Sequence, residues 1–329
     1  MDFNNSNIES GELFKMLTAN EWLEQAKNKP IPKQLFSEFW FEGELCILFA
    51  DTNLGKSILG VQIGESISKG TPIKGFKNEC EKSVVLYFDF ELSEKQFENR
   101  YSIEYENHYS FDNNFLRIEI NPDAIIPEKQ TFEDVMNNAL EQSIIESGAK
   151  ILVIDNLTYL KNETEQAKDA LPLMKQLKAL KSKYALSILA LAHTPKRDLS
   201  KPLTVNDLQG SKMLSNFCDS IFAIGECFND KNLRYLKQIK QRNTGKIYDS
   251  ENICLCQIDK PYNFLRFDFI GFGKESDHLK QYSDKDKNKL NAEVLKLRGQ
   301  GMSFRDIATK LKSISHTQVK RICDENLNN

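Results

Sequence analysis

Several features are scarce in this chain of 329 residues, and each absence removes a class of function. No apolar run approaches the roughly 20 residues that a membrane-spanning helix needs; stretches such as Ser187 to Ala192 are far shorter. A membrane role is therefore not expected. The N-terminus, MDFNNSNIESGELF, has neither the positive charge nor the apolar block of a signal peptide, which predicts a cytoplasmic protein. The seven cysteines (46, 80, 218, 227, 254, 256 and 323) are odd in number and form no C-x-x-C pair. Buried free thiols are expected, and neither a disulfide framework nor a zinc site. Internal repeats and low-complexity tracts are also missing.

The net charge is −3, but it is unevenly spread. From Asp284 to the end there are ten Lys or Arg and six Asp or Glu, so this tail is +4 and the rest is −7. A basic appendage on an acidic body points towards a nucleic-acid contact at the C-terminus.

Residues 1–40 are polar, with a helical stretch near Asn20 to Lys27 and a Pro30-Ile31-Pro32 break, and read as an N-terminal arm. Between 41 and 273, short apolar runs alternate with longer amphipathic stretches. Nine strands are predicted: Leu45 to Ala50, Val84 to Phe90, Phe115 to Ile120, Ile151 to Ile154, Ser187 to Ala192, Ile221 to Ile224, Tyr235 to Lys240, Ile253 to Ile258 and Phe264 to Ile270. The early ones are continuously apolar, as in strands buried on both faces, and the last alternate, as in antiparallel edge strands. This order predicts an α/β fold with a mostly parallel sheet and an antiparallel end. Residues 274–288 are expected to be a charged linker, and 289–329 a small all-α domain.

The stretch Ala50-Asp51-Thr52-Asn53-Leu54-Gly55-Lys56-Ser57 nearly matches the phosphate-binding pattern G-x-x-x-x-G-K-[ST], with Ala50 where the first glycine belongs. An apolar strand enters it and an amphipathic helix leaves it. In such a loop backbone N–H groups wrap phosphate oxygens, Lys56 reaches the terminal phosphates, and the Ser57 hydroxyl goes to Mg²⁺. ATP and Mg²⁺ are thus the expected ligands.

Two further strand ends carry carboxylates. In KILVIDNLTYL, Asp155 closes a buried strand and is expected beside the phosphate loop, placed to hold a Mg²⁺ water; a helix cap is the plainer reading. In VVLYFDFELSEKQFENR, Glu91 follows a strand and is placed to orient a water for attack on the γ-phosphate. Asp89 is the alternative base, and a cap on the helix starting near Ser93 is the alternative role for Glu91.

These segments, with LALAHTPK and KQIKQRNTG in the same order, resemble RecA-like hexameric ATPases, especially DnaB and RepA-type replicative helicases of plasmids and mobile elements. The resemblance covers about residues 30–270. It implies a RecA-like fold, ATP hydrolysis, and a γ-phosphate sensor at His193. It also implies a ring, hexameric in that family, in which Lys240 and Arg242 enter the neighbouring subunit's nucleotide site. Loops at the inner face of the sheet would grip single-stranded DNA, which implicates Lys196, Arg197, Lys201 and Lys212. A primase or initiator protein is the implied further partner.

The tail NKLNAEVLKLRGQGMSFRDIATKLKSISHTQVKRICDEN contains three short helical patterns. Ser303 with Asp306, and Ser315 with Gln318, have capping-box spacing. The unit looks like a helix-turn-helix, with Gln318, Lys320 and Arg321 among the residues on or near a recognition helix for duplex DNA. Three functions follow as expectations: a replicative helicase; a recombination or partition ATPase that does not unwind; and a DNA-binding regulator switched by nucleotide.

Overall fold

The computed structural model describes residues 14–157, 159, 170–195, 197–281, 284–311 and 314–327. Nine strands form one sheet: β1 (Leu45–Ala50), β2 (Val85–Asp89), β3 (Phe115–Ile118), β4 (Ile151–Asp155), β5 (Ser187–His193), β6 (Ser220–Glu226), β7 (Leu233–Lys240), β8 (Ile253–Asp259) and β9 (Arg266–Gly273). All nine correspond to strands expected from the sequence.

The spatial order is β9-β8-β7-β6-β1-β5-β4-β2-β3. The six strands from β6 to β3 are parallel, and β7, β8 and β9 add antiparallel pairs at one side. The fold is therefore α/β, with a mostly parallel sheet flanked by helices and antiparallel strands at one end. Every residue of β1, β2 and β4 is buried, which is why these strands read as unbroken apolar runs.

Helix α1 (Ala19–Lys27) is capped by a Thr18–Glu21 box and buries none of its residues. Helix α2 (Lys56–Lys69) is buried almost all round and, with one side of the sheet, forms one apolar core. Helices α4 (Phe132–Ser147) and α5 (Ala170–Tyr184) cover the other side through Leu140, Ile144, Leu173, Met174 and Leu177. Two short helices complete the body, α3 (Glu94–Arg100) and α6 (Ser211–Phe217). Among the described residues, no helix is long and apolar enough to cross a membrane.

The stretch expected to be a solvated linker is partly built into the body. Glu275 is fully buried, ion-paired to Lys237 of β7, and accepts hydrogen bonds from the Leu203 N–H (2.7 Å) and the Tyr235 hydroxyl (3.1 Å). A buried charge is tolerated only with such partners. Helix α7 (Asp284–Gly299) also begins inside that stretch.

Helices α7, α8 (Phe304–Leu311) and α9 (His316–Leu327) share a separate core of Val294, Leu297, Ile307, Val319, Ile322 and Cys323. Both caps form: Ser303 Oγ accepts the Asp306 N–H (3.2 Å), and Ser315 Oγ that of Gln318 (3.3 Å). All seven cysteines are free and buried.

Candidate active site

The carboxyl edge of the parallel strands collects the phosphate loop, Glu91, Asp155 and His193. Gly55 opens α2 with φ +94°, a left-handed backbone that suits glycine. A Cβ there would also lie 2.8 Å from Ile258 Cδ1 and 2.9 Å from the Phe267 ring. Asn53 supplies a second left-handed residue at φ +62°, a conformation asparagine tolerates. The loop thus has the curled backbone that turns successive N–H groups inwards.

Ala50 is different. It is the last residue of β1, its φ is not among the positive ones, and its methyl is fully buried in the core. Nothing at this position calls for a glycine, so the departure from the phosphate-loop pattern is accommodated by packing.

The Lys56 ammonium donates to the carbonyls of Ala50 (3.1 Å) and Asp51 (3.2 Å), tying helix to loop. Burial pulls its pKa down, opposed by the charges of Glu91, Asp155 and Asp51. It lines a pocket of about 210 Å³ with Thr52, Asn53, Gly55, Ser57, Glu91 and His193. Seven of the expected site residues are therefore brought together.

Asp155 is fully buried at the end of β4, and the Tyr87 hydroxyl donates to its Oδ2 at 2.7 Å. Its Oδ1 is buried without a hydrogen-bond partner. Burial raises its pKa to about 6, against hydrogen bonds from Ser57 and Tyr87 that favour the ionised form. An orphaned carboxylate oxygen next to a serine hydroxyl fits a hard cation that prefers oxygen ligands, as Mg²⁺ does. Among the described residues, no group of three or more His, Cys, Asp or Glu is placed to hold a metal ion.

Asp155 reaches Ser57 of the phosphate loop, as the sequence suggested, although its strand does not adjoin β1. Strand β5 runs between β1 and β4, pairing Ala50 with His193. This insertion brings His193 into the centre of the site. Its Nε2 lies 3.1 Å from Glu91 Oε1 and 3.1 Å from Asn156 Nδ2, and Asn156 Nδ2 also donates to Glu91 Oε1. The hydrogen bond with His193 is the main cause that lowers the Glu91 pKa. Glu91 is about a third exposed and held ionised, as a water-orienting group requires.

Asp89, the alternative base, is unavailable. Its Oδ1 accepts the N–H groups of Glu91 (3.2 Å) and Leu92 (3.0 Å), and its Oδ2 accepts from Arg117 Nε at 2.8 Å. The cap of α3 is Ser93, paired with Gln96, so Glu91 is not occupied as a helix cap.

Two site residues escaped the sequence reading. Asn156 follows Asp155 directly. Arg100, at the end of α3, lines the same pocket, and its buried Nη1 has no hydrogen-bond partner. Arg100 thus brings a guanidinium, a group suited to binding phosphate oxygens, to the wall of this pocket. No spacing or motif in the sequence marked it out.

Lys240 and Arg242 lie elsewhere. Lys240 pairs with Ile221, at the amino end of the parallel strands, opposite the edge that bears Ser57 and Glu91. Its ammonium donates to the carbonyls of Ser215 (2.5 Å) and Cys218 (2.7 Å). Arg242 donates to Asp219 Oδ1 (3.1 Å) and the Asn216 carbonyl (3.3 Å), with half its side chain exposed. Both converge on the end of α6, remote from this chain's own pocket.

Of the residues expected to contact DNA, Lys196 and the side chain of Lys212 lie outside the described residues. Arg197 is half-buried and donates to the Lys201 carbonyl at 3.2 Å. Lys201 is exposed, 3.7 Å from Asp198. On α9, Gln318 Oε1 accepts from the Ser315 N–H (2.9 Å), so its amide serves the cap, while Lys320 and Arg321 are exposed.

The AAA domain family matches residues 12–198. No curated protein matches the chain. Among solved structures, a KaiC-like protein of the hyperthermophilic archaeon Pyrococcus horikoshii is similar at 13% identity over 70% of this chain and 91% of its own, with a TM-score of 0.47. The family match spans more than half of the 329 residues and contains the phosphate loop, Glu91, Asp155 and His193: the chain belongs to the AAA domain family of P-loop ATPases.

Proposed function

We propose that this protein hydrolyses ATP as a RecA-like ring acting on DNA, as a replicative helicase of a plasmid or mobile element does. The observation that carries the hydrolytic half is the meeting of Glu91, Asn156 and His193 with Lys56 and Arg100 around one pocket. Glu91 orients the attacking water and takes up its proton. His193, hydrogen-bonded to Glu91, sits where a change at the terminal phosphate alters that bond. Lys56 and Arg100 counter the charge that spreads over the transferring phosphoryl oxygens. Ser57 and Asp155 would hold Mg²⁺, which neutralises phosphate charge when bound.

The ring is inferred from Lys240 and Arg242. Both are remote from this chain's own site, so a catalytic role for them needs a neighbouring copy. The DNA half rests on the three-helix tail, its net charge of +4, and exposed Lys320 and Arg321. We read that tail as a helix-turn-helix.

A second reading, a DNA-binding regulator switched by nucleotide, is favoured by the tail's separate core. Strand-displacement and ATPase assays divide them. A helicase displaces a strand with one polarity and hydrolyses ATP faster with single-stranded DNA. A regulator binds one duplex sequence tightly, loses that binding on deletion of 284–329, and displaces nothing. An ATPase that displaces no strand and prefers no duplex sequence overturns both and leaves an accessory recombination or partition role.

A further inference from the structure

Arg117 lies on β3, the outer parallel edge of the sheet, opposite Tyr87 in register. Its side chain reaches across to the turn that follows β2. Nε donates to Asp89 Oδ2 at 2.8 Å, and Nη2 donates to the Leu92 carbonyl at 2.8 Å. Nη1 pairs with Glu119, and the guanidinium lies 4.5 Å over the Phe97 ring. Asp89 meanwhile accepts the N–H groups of Glu91 and Leu92 through Oδ1. The four-residue turn from Asp89 to Leu92 is thus held at both ends by one planar group, with Glu91 inside it.

We propose that Asp89 and Arg117 are positioning residues for Glu91, fixing the base through the turn that carries it while touching no nucleotide themselves. The inference rests on the reading of Glu91 as the base. Asp89 has an almost fully buried carboxylate, so without Arg117 its charge is stranded beside Asp155, its register partner on β4. The turn then has reason to open. Lysine is no equal substitute, because an ammonium is a point donor and cannot span the two acceptors as the flat guanidinium does. Displacement of a catalytic group by about 1 Å costs on the order of 10²-fold in rate.

The test is a double-mutant cycle on the full-length protein, read as steady-state phosphate release, with affinity for a fluorescent ATP analogue measured alongside. Arg117→Met is expected to lower kcat roughly 10- to 100-fold with KM for ATP changed less than about threefold, and Arg117→Lys to fall between. Glu91→Gln combined with Arg117→Met is expected to be no slower than Glu91→Gln alone, because a residue that acts through Glu91 has nothing left to position. A stitch of purely structural importance would slow both backgrounds equally, and that result overturns the proposal. Full activity of Arg117→Met beside an inactive Glu91→Gln also overturns it, and leaves the base assignment standing. An active Glu91→Gln overturns the base assignment and the positioning role together. Should Arg117→Met not fold, Asp89→Asn leaves no stranded charge and keeps the Oδ1 acceptor; it must show the same loss of kcat and the same absence of further loss with Glu91→Gln.

Discussion

His193 Nε2 and Asn156 Nδ2 lie 3.1 Å apart, and both meet the same oxygen of Glu91. The three residues come from the ends of adjacent or near-adjacent strands, so their meeting follows from the strand order β5-β4-β2. On the proposed function, the phosphate sensor and the group that activates water would share one hydrogen-bonded cluster. Glu91→Gln should lower kcat by about 10²- to 10⁴-fold while nucleotide still binds. Phosphate release and ATP-analogue binding, measured on the same sample, check this.

Ala50 gives a prediction in the opposite direction. Its methyl is packed in the core and its backbone has no need of glycine. Ala50→Gly, which restores the usual phosphate-loop residue, should leave kcat/KM within about threefold and cost roughly 1 kcal/mol of stability through lost packing and added chain entropy. Denaturant unfolding and ATPase rates test both halves. A gain of tenfold in kcat/KM would mean that the alanine impairs the loop.

Asp155 links the site to stability. Burial holds its folded-state pKa near 6, above the ordinary 3.8. A carboxyl raised in this way binds its proton more tightly when folded. Its contribution is most favourable below about pH 4 and is lost as pH rises through about 6, leaving a penalty on the order of 1–3 kcal/mol at pH 7.5. Asp155→Asn removes that penalty and keeps an acceptor for Tyr87. The variant should unfold at a higher temperature than the wild type at pH 7.5 in the presence of a chelator. Its advantage should vanish below about pH 4, and its ATPase activity should be lost. Thermal melts across pH 4–8 supply the comparison.

Arg242 is half exposed and paired with Asp219 at the surface, an interaction worth about 0–1 kcal/mol. Arg242→Ala should therefore melt close to the wild type. If Arg242 serves a neighbour, Arg242→Ala abolishes hydrolysis on its own but regains activity when mixed with Glu91→Gln, because some interfaces then combine an intact Glu91 with an intact Arg242. Mixtures that stay inactive would place Arg242 outside the chemistry.

Much of this architecture was legible from residue patterns. β1, β2 and β4 are buried on both faces, so LCILFA, VLYFD and ILVID had to be largely apolar runs, and the carboxylates that end the last two had to sit at one edge. Strand order was not legible, because periodicity reports burial and not neighbours; hence nothing in the residue pattern showed that β5 lies between β1 and β4 and carries His193 into the site. Arg100 and Arg117 were hidden for a related reason. One reaches the site from a helix end and the other from an edge strand, and a long side chain's destination leaves no mark on the spacing of its neighbours. Glu275 was misread as a linker charge because its partners, Lys237, Leu203 and Tyr235, lie 38 to 72 residues away.

The most direct test of the account is the steady-state rate of ATP hydrolysis by the purified full-length protein, with and without single-stranded DNA, beside Lys56→Ala. The account predicts hydrolysis that rises several-fold on adding DNA and disappears in Lys56→Ala. A rate indifferent to DNA would contradict action on single strands, and a Lys56→Ala rate equal to the wild type would contradict the site itself.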